Sequence, residues 1–272
     1  MRKSGKKPLL QESLNELIQK FSQQDVIAVM EKEYQSAPSR LIPLSLIDDT
    51  PYIAEVAYPE DEIALFSAGL KEKGFYNPLV VRPKKEGRYE LILGRKRYFG
   101  ALKAGILSVP CAVKEAGDEE LLLMLLADTS DQRDSNVIEL AFTYEALQRK
   151  FGYTQDTLAK LSHQSRPQVT NVLRMLKLPK EIRRMISVKE LSYGHAKAIA
   201  SLEEKDIRAA VKAIKTKNLS VRATEEYVSG KLSGALDKAE ADYEVVEENA
   251  TSVTFAFPSE EAKERFLKKL NK

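Results

Sequence analysis

The spacing of apolar positions changes rhythm along the chain and predicts three kinds of structure. From about residue 40 short apolar runs alternate with helical spacing. Arg40-Leu-Ile-Pro-Leu-Ser-Leu-Ile47 reads as a short strand and loop. Ile63, Leu65, Phe66 and Leu70 give Glu60 to Gly74 a helical stripe, with Gly74 as its stop. Pro78-Leu-Val-Val-Arg82 and Tyr89-Glu-Leu-Ile-Leu93 flank the polar turn 84–88 and predict a hairpin. Gly94 opens a helix that Gly105 closes, and Val109 to Val113 is a further strand. Beyond Asp118 the period is helical: Glu119 to Ala127, Ile138 to Phe151 ended by Gly152, then several short helices to about Gly230. Tyr243 to Val246, Ser252 to Phe257 and Ser259 to Leu270 form a ββα pattern too small to be stable alone, so it must pack on the body or on a second copy.

These elements predict an α+β chain. It has a polar arm (1–39), a small mixed α/β domain (40–127), an all-α domain (128–228), a small-residue linker (229–240) and the terminal ββα unit (241–272). In the arm, Leu14, Leu17, Ile18 and Phe21 have the spacing of a short amphipathic helix.

Residues 154–176 carry the most specific local pattern. Thr154 caps a short helix to Leu161, Ser162-His163-Gln164 make a turn, and Ser165 caps a second helix that tolerates Pro167 in its first turn. Ala159 is small where two helices must approach, and Val169, Val172, Leu173 and Leu176 form the second helix's inner stripe. That spacing is the helix-turn-helix pattern. The outward set Ser165, Arg166, Gln168, Thr170, Asn171 and Arg174, with Thr154 and Gln155 before it, has no acid and suits base edges and phosphates. His195, Lys197 and Arg222 open two later helices and are further DNA-contact candidates, His195 equally a local structural hydrogen bond.

Charge sharpens this picture. Arg149 to Arg222 hold 17 Lys/Arg against 6 Asp/Glu, a net of +11, which leaves −8 for the rest of a chain whose total is +3. Such asymmetry marks a surface for a polyanion. The single cysteine, Cys111, excludes an internal disulfide, and the two histidines form no metal-ligand cluster. No apolar run approaches the roughly 18 residues of a membrane span, and the basic start lacks the apolar core of a secretory signal. A cytoplasmic, nucleoid-associated protein is expected.

Phe151-Gly-Tyr-Thr-Gln-Asp-Thr-Leu-Ala, Ser165-Arg-Pro, Leu178-Pro, Leu191-Ser-Tyr-Gly-His-Ala and Leu219-Ser-Val-Arg resemble the DNA-binding domain of ParB partition proteins. Ile42-Pro-Leu, Gly74 with Pro78-Leu-Val-Val-Arg, and Leu93-Gly-Arg-Lys-Arg97 resemble the family's N-terminal domain, and the ββα unit its dimerisation module. The resemblance spans roughly residues 40–272. It implies a homodimeric clamp on double-stranded DNA at a palindromic centromere-like site. It also implies a ParA-type ATPase partner, and CTP with Mg²⁺ in the N-terminal domain.

For that nucleotide the resemblance points to Gly94, Arg95, Lys96 and Arg97, with Gln132 and Arg133 from a second segment. Glycine permits close backbone approach, and a helix start offers free N–H groups to phosphate. Two departures stand out. Ile53-Ala54-Glu55 replaces a Gln-x-Arg box, placing a carboxylate where it repels triphosphate, and Thr129-Ser130 replaces the family's Glu-Asn pair, which puts CTP hydrolysis in doubt. Asp128 or Asp131 offers a hard oxygen ligand for Mg²⁺ instead. Three readings remain open: a partition clamp, a ParB-like transcription regulator without CTP hydrolysis, and a nuclease or phosphoryl-transfer enzyme on the same fold. The third lacks a clear nucleophile or acid–base pair.

Overall fold

The computed structural model describes residues 38–131, 136–240, 244–249 and 252–257, and the isolated helical positions 260, 263, 264 and 267. Most of the polar arm, the amphipathic helix expected in it, Gln132 and Arg133, and most of the terminal helix expected over 259–270 lie outside these residues. The described chain divides into two compact units between Tyr193 and Gly194.

The first unit begins with a five-stranded mixed sheet in the order β1-β5-β3-β4-β2. Its strands are β1 (Ser39–Pro43), β2 (Ile47–Asp48), β3 (Leu79–Pro83), β4 (Tyr89–Leu93) and β5 (Ser108–Val113). The expected hairpin is the antiparallel β3–β4 pair, with Val81 opposite Leu91 and a register shift between Val80 and Val81. β5 runs parallel to β3 and antiparallel to β1. Ile42, Leu79, Val81, Leu91, Val109 and Cys111 build the core with Leu70 of α1 (Glu60–Lys73) and Ala101 of α2 (Arg95–Ala104). Glu60, Asp61 and Glu62 lie in the first turn of α1, where the helix dipole favours acids, and Gly74 is its C-cap.

At the β4–α2 junction Gly94 has a left-handed backbone, φ 98°. A Cβ there would meet Leu79 Cδ2 at 2.8 Å and Arg97 Nη2 at 3.1 Å. The chain can turn from strand to helix in this space only without a side chain.

Two longer helices follow, α3 (Asp118–Asp131) and α4 (Val137–Phe151). The line expected between domains at 127/128 thus falls inside α3. Asn136 caps α4 by accepting from the Ile138 N–H, and Gly152 ends it in a left-handed conformation. α3 packs on β4 and on α4, and α4 also packs against α6 (Arg166–Arg174).

The helix-turn-helix is α5 (Gln155–Leu161) and α6, capped as expected. Thr154 accepts from the Thr157 N–H, and Ser165 forms a complete capping box with Gln168. His163 occupies the turn with φ 52°. The inner stripe differs from the expected one. Val169 and Val172 are buried, but Leu173 and Leu176 are only half-buried and Met175 takes the inward position. The helix tightens at Met175–Lys177 into a 3-10 turn, which shifts the inward face by one residue. The turn is held from behind: Tyr144 of α4 donates to Ser162 Oγ at 2.7 Å, and that hydroxyl donates to the Leu158 carbonyl. α7 (Lys180–Ser187) packs on α4, and its Arg183 donates to the Leu176 carbonyl, in the 3-10 turn that follows α6, at 2.9 Å.

The second unit holds most of α8 (Tyr193–Ile199), then α9 (Glu204–Lys217), α10 (Val221–Glu240) and an antiparallel β6–β7 hairpin (Glu244–Asn249, Ser252–Ala256). Residues 229–240, expected as a linker, are the end of α10. Their glycines and serines lower helix propensity by at most about 1 kcal/mol each, too little to stop a helix already 8 residues long. Among the described residues no helix is long and apolar enough to cross a membrane.

Tyr144→Phe should cost about 1 kcal/mol in denaturant unfolding, because one buried hydrogen bond is lost; an unchanged midpoint would remove the brace assigned to the turn. Gly94→Ala should cost about 2 kcal/mol through the positive φ and the close approach of Leu79, read by the same unfolding curves.

Candidate nucleic-acid interface and nucleotide cradle

The recognition helix α6 presents a mixed outer face. Arg166 and Gln168 are exposed, and Thr170, Asn171 and Arg174 are half-buried. Arg166 is 66% exposed and lies 3.8 Å from Asp156 of α5, a loose pair that leaves the guanidinium able to reach outward. Two members of the expected set are committed within the motif. The Gln168 side chain accepts from the Ser165 N–H at 2.7 Å, and Thr170 Oγ1 donates to Gln155 Oε1 at 2.8 Å. They hold α5, the turn and α6 in one geometry, which leaves Arg166, Asn171 and Arg174 as the better candidates for base contact. Ser165 and Thr154 act as caps, through their own side-chain oxygens.

The other DNA candidates lie in the second unit. His195 Nε2 is 2.9 Å from the Leu219 carbonyl, so the ring has the local structural bond weighed as its alternative. Lys197 is exposed but stands in the last turn of α8, where the dipole attracts cations to the helix rather than phosphate to the lysine. Its expected place at a helix start is corrected, because α8 begins at Tyr193 and spans only 7 residues. Arg222 does sit in the first turn of α10, 90% exposed, with Glu226 at 3.3 Å.

The nucleotide candidates meet at the start of α2. Gly94, Arg95, Lys96 and Arg97 line a pocket of about 160 Å³ with Tyr58, Asp128, Thr129, Asn136 and Glu139. The three cations have separate employment. Arg95 is 4% exposed. Its Nε and Nη2 donate to Asp49 at 2.8 and 2.6 Å, and its Nη1 donates to Tyr58 OH at 3.3 Å. Burial works against this charge, but the Asp49 hydrogen bonds and the facing charges raise its pKa above the ordinary arginine value. Arg97 donates to the Asn77 and Pro78 carbonyls and folds over Gly94; burial lowers its pKa. Lys96 pairs with Glu62 at 2.6 Å.

Sequence reasoning missed Asp49, Tyr58, Asn136 and Glu139. Tyr58 donates to Glu139 Oε2 at 2.8 Å, and burial pushes the Glu139 carboxyl above the usual carboxylate range. The available signal was an acid inside the apolar run Val137-Ile-Glu-Leu-Ala141. Asn136 donates to the Ala57 and Ser187 carbonyls, tying loop 51–59 to α7.

Both departures look different in three dimensions. Glu55 does not line the pocket. Its carboxylate accepts from Arg183 at 2.9 Å, with Lys180 at 3.9 Å, so its charge is paired away from the α2 pocket. Thr129 does line the pocket, but its hydroxyl donates back to the Leu125 carbonyl of its own helix. Asp128, one of the two Mg²⁺-ligand candidates, is at the pocket with Glu139. The fit to a phosphate-bearing group is therefore partial. The glycine cradle, the helix start and Lys96 suit phosphate, and Asp128 supplies a carboxylate oxygen. The volume is below the roughly 300 Å³ at which small-molecule pockets begin, which is room for a phosphate-sized group and not for a whole nucleotide. Among the described residues no group of three or more His, Cys, Asp or Glu forms a ready metal cage.

Comparison with known proteins matches the ParB N-terminal domain model to residues 28–130 and the ParB HTH domain model to residues 133–233. The chain is 36% identical to the chromosome-partitioning protein Spo0J of Thermus thermophilus over 184 residues, 68% of either chain. It is 33% identical to a probable chromosome-partitioning protein ParB of Vibrio cholerae over 204 residues, 74% of this chain and 70% of that one. Among solved structures, C-terminally truncated ParB from Caulobacter crescentus complexed to the centromeric parS site aligns at 32% identity, over 71% of this chain and 100% of that one, with a TM-score of 0.42. The same protein complexed with CTP-gamma-S aligns at 32% identity over 63% of this chain and 99% of that one, with a TM-score of 0.34. The two ParB domain models, which together match residues 28–130 and 133–233, and the curated relatives at 33–36% identity show that this chain belongs to the ParB family.

Proposed function

We propose that the chain is a sequence-specific DNA-binding protein of chromosome or plasmid partition. It would grip a palindromic centromere-like site as a homodimer and work with a ParA-type ATPase on the nucleoid. The observation that carries this reading is α6. It is a helix with a complete capping box, braced by Tyr144 and Gln155, that exposes Arg166 and half-exposes Asn171 and Arg174. Such a helix meets the needs of the major groove: rigid support behind, bidentate donors in front. The relatives named for chromosome partitioning support the same role.

CTP with Mg²⁺ is the proposed ligand of the α2 cradle. Gly94 and the α2 start would receive phosphate, Lys96 would balance its charge, and Asp128 would hold the metal ion. The bound metal would screen the phosphates from Asp128 and Glu139. The Thr129 hydroxyl is turned into its own helix and has no carboxylate to orient water. That favours a second reading, a ParB-like operator-binding regulator that binds CTP without turnover.

Arg166→Ala should weaken binding to a selected DNA site by about 10- to 100-fold, the worth of one bidentate base contact, while leaving binding to unrelated DNA within a few fold. Equal loss on both DNAs in a gel-shift titration would make Arg166 a phosphate contact instead. Affinity for the site should fall roughly 10³-fold between 50 and 200 mM salt if six or more phosphates are contacted; a flat profile contradicts the basic surface. Asp128→Asn should lower CTP affinity in Mg²⁺ by about tenfold and leave it unchanged in EDTA. Equal affinity of both proteins in Mg²⁺, measured by calorimetry, would remove Asp128 from the site.

A further inference from the structure

A second and larger chamber, of about 490 Å³, lies on the other side of Tyr58, Lys96 and Asn136, which line both spaces. Its floor is apolar: Val137 and Leu140 of α4, Val172 of α6, and Ile186 and Leu191 around α7. Its volume falls within the roughly 300–1,000 Å³ of small-molecule sites, which pair an apolar lining with a few placed polar groups.

Three polar features give the chamber its chemistry. Ser187 is 2% exposed and lines it, and the Ser187 Oγ has no hydrogen-bond partner among the described residues. A buried hydroxyl left unpaired is costly, so its retention calls for a partner that the protein itself does not provide. The charged residues of the lining are Glu62, Lys96 and Lys189. One carboxylate faces two ammonium groups, at 2.6 Å from Lys96 and 3.9 Å from Lys189, which leaves one positive charge unbalanced. Lys189 also holds a left-handed backbone, φ 61°, just past the end of α7, where the Glu190 N–H closes back on Met185. Glycine is the favoured residue for that position. A lysine there accepts backbone strain and keeps its side chain at the chamber.

We propose that this chamber is a binding site for a compact aromatic molecule carrying a single negative charge, distinct from the cradle at Gly94. The aromatic body would lie on the apolar floor, a hydrogen-bonding group would engage Ser187 Oγ, and the anionic group would meet Lys189. Gln164 and Gln168, from the turn and first turn of the recognition helix, also line the chamber, so its occupant touches the element that faces DNA.

The probe for the test is 1-anilinonaphthalene-8-sulfonate, an aromatic monoanion whose fluorescence rises on leaving water. The full chain has no tryptophan to complicate the signal. One saturable site per chain is expected. Ser187→Ala and Lys189→Gln should each weaken it about fivefold, the effect of losing one hydrogen bond or one charge contact. Ser187→Ala should leave thermal stability equal or higher, since it removes a buried unpaired group. Neither residue lines the cradle at Gly94, so CTP binding, measured separately, should be retained in both variants. Absence of saturable binding, or wild-type affinity in both variants, would mean that the chamber holds water only or that the probe sits elsewhere, and would overturn the proposal. A Ser187→Ala protein that loses stability along with binding would assign the hydroxyl to the fold, and unchanged affinity in Lys189→Gln would then reject the site.

Discussion

The first unit is organised around one buried cation. Arg95 enters the interior at the first residue of α2 and meets Asp49 through two hydrogen bonds, with the Tyr58 and Phe99 rings beside it at 5.4 and 5.3 Å. A charge this deep is tolerated only when paired, and breaking such a pair costs about 3–5 kcal/mol. The pairing fixes three things at once. It sets where α2 begins and hence the shape of the glycine cradle. It holds the loop that carries Tyr58. Through Tyr58 it reaches Glu139, a buried residue of α4. α4 in turn supplies Tyr144, the residue behind the helix-turn-helix.

The same side-chain type serves opposite ends in this chain, and burial decides which. Arg95 and Arg97 spend their donors on Asp49 and on backbone carbonyls, so they build the cradle's wall rather than wait for phosphate. Arg166 is two-thirds exposed, keeps only a loose neighbour and remains open to a polyanion. Glu55 shows the converse. A carboxylate that reads as repulsive in the linear motif is turned away and paired with Arg183 of α7, so it fastens loop 51–59 to the helices instead. Lys96 lies on the wall shared by both spaces, with Tyr58 and Asn136. An occupant of either one therefore meets a residue that the other also touches.

Much of this was legible from residue order. The hairpin, the helices bounded by Gly74, Gly105 and Gly152, and the caps Thr154 and Ser165 follow from local chemistry: positive φ at glycine, a side-chain oxygen for free N–H groups, and the two- and 3.6-residue periods. The helix-turn-helix was readable for the same reason, since its small, apolar and capping residues lie within 25 positions of one another. Local rules also account for the errors. A run of glycine and serine at 229–240 looked like a linker, yet a helix already under way absorbs such residues.

What the sequence could not determine were the long-range pairings. Asp49 with Arg95 spans 46 residues, Tyr58 with Glu139 spans 81, and Glu55 with Arg183 spans 128. No periodicity links such positions, because each depends on how whole elements pack. The sequence therefore determined most of the helices, strands and turns, though not that 229–240 continues a helix, and that the middle of the chain is basic. Only the tertiary structure decided which charges point inward to a partner and which remain free for a ligand, because burial, the quantity that separates the two, is a property of the packed molecule and not of any single residue.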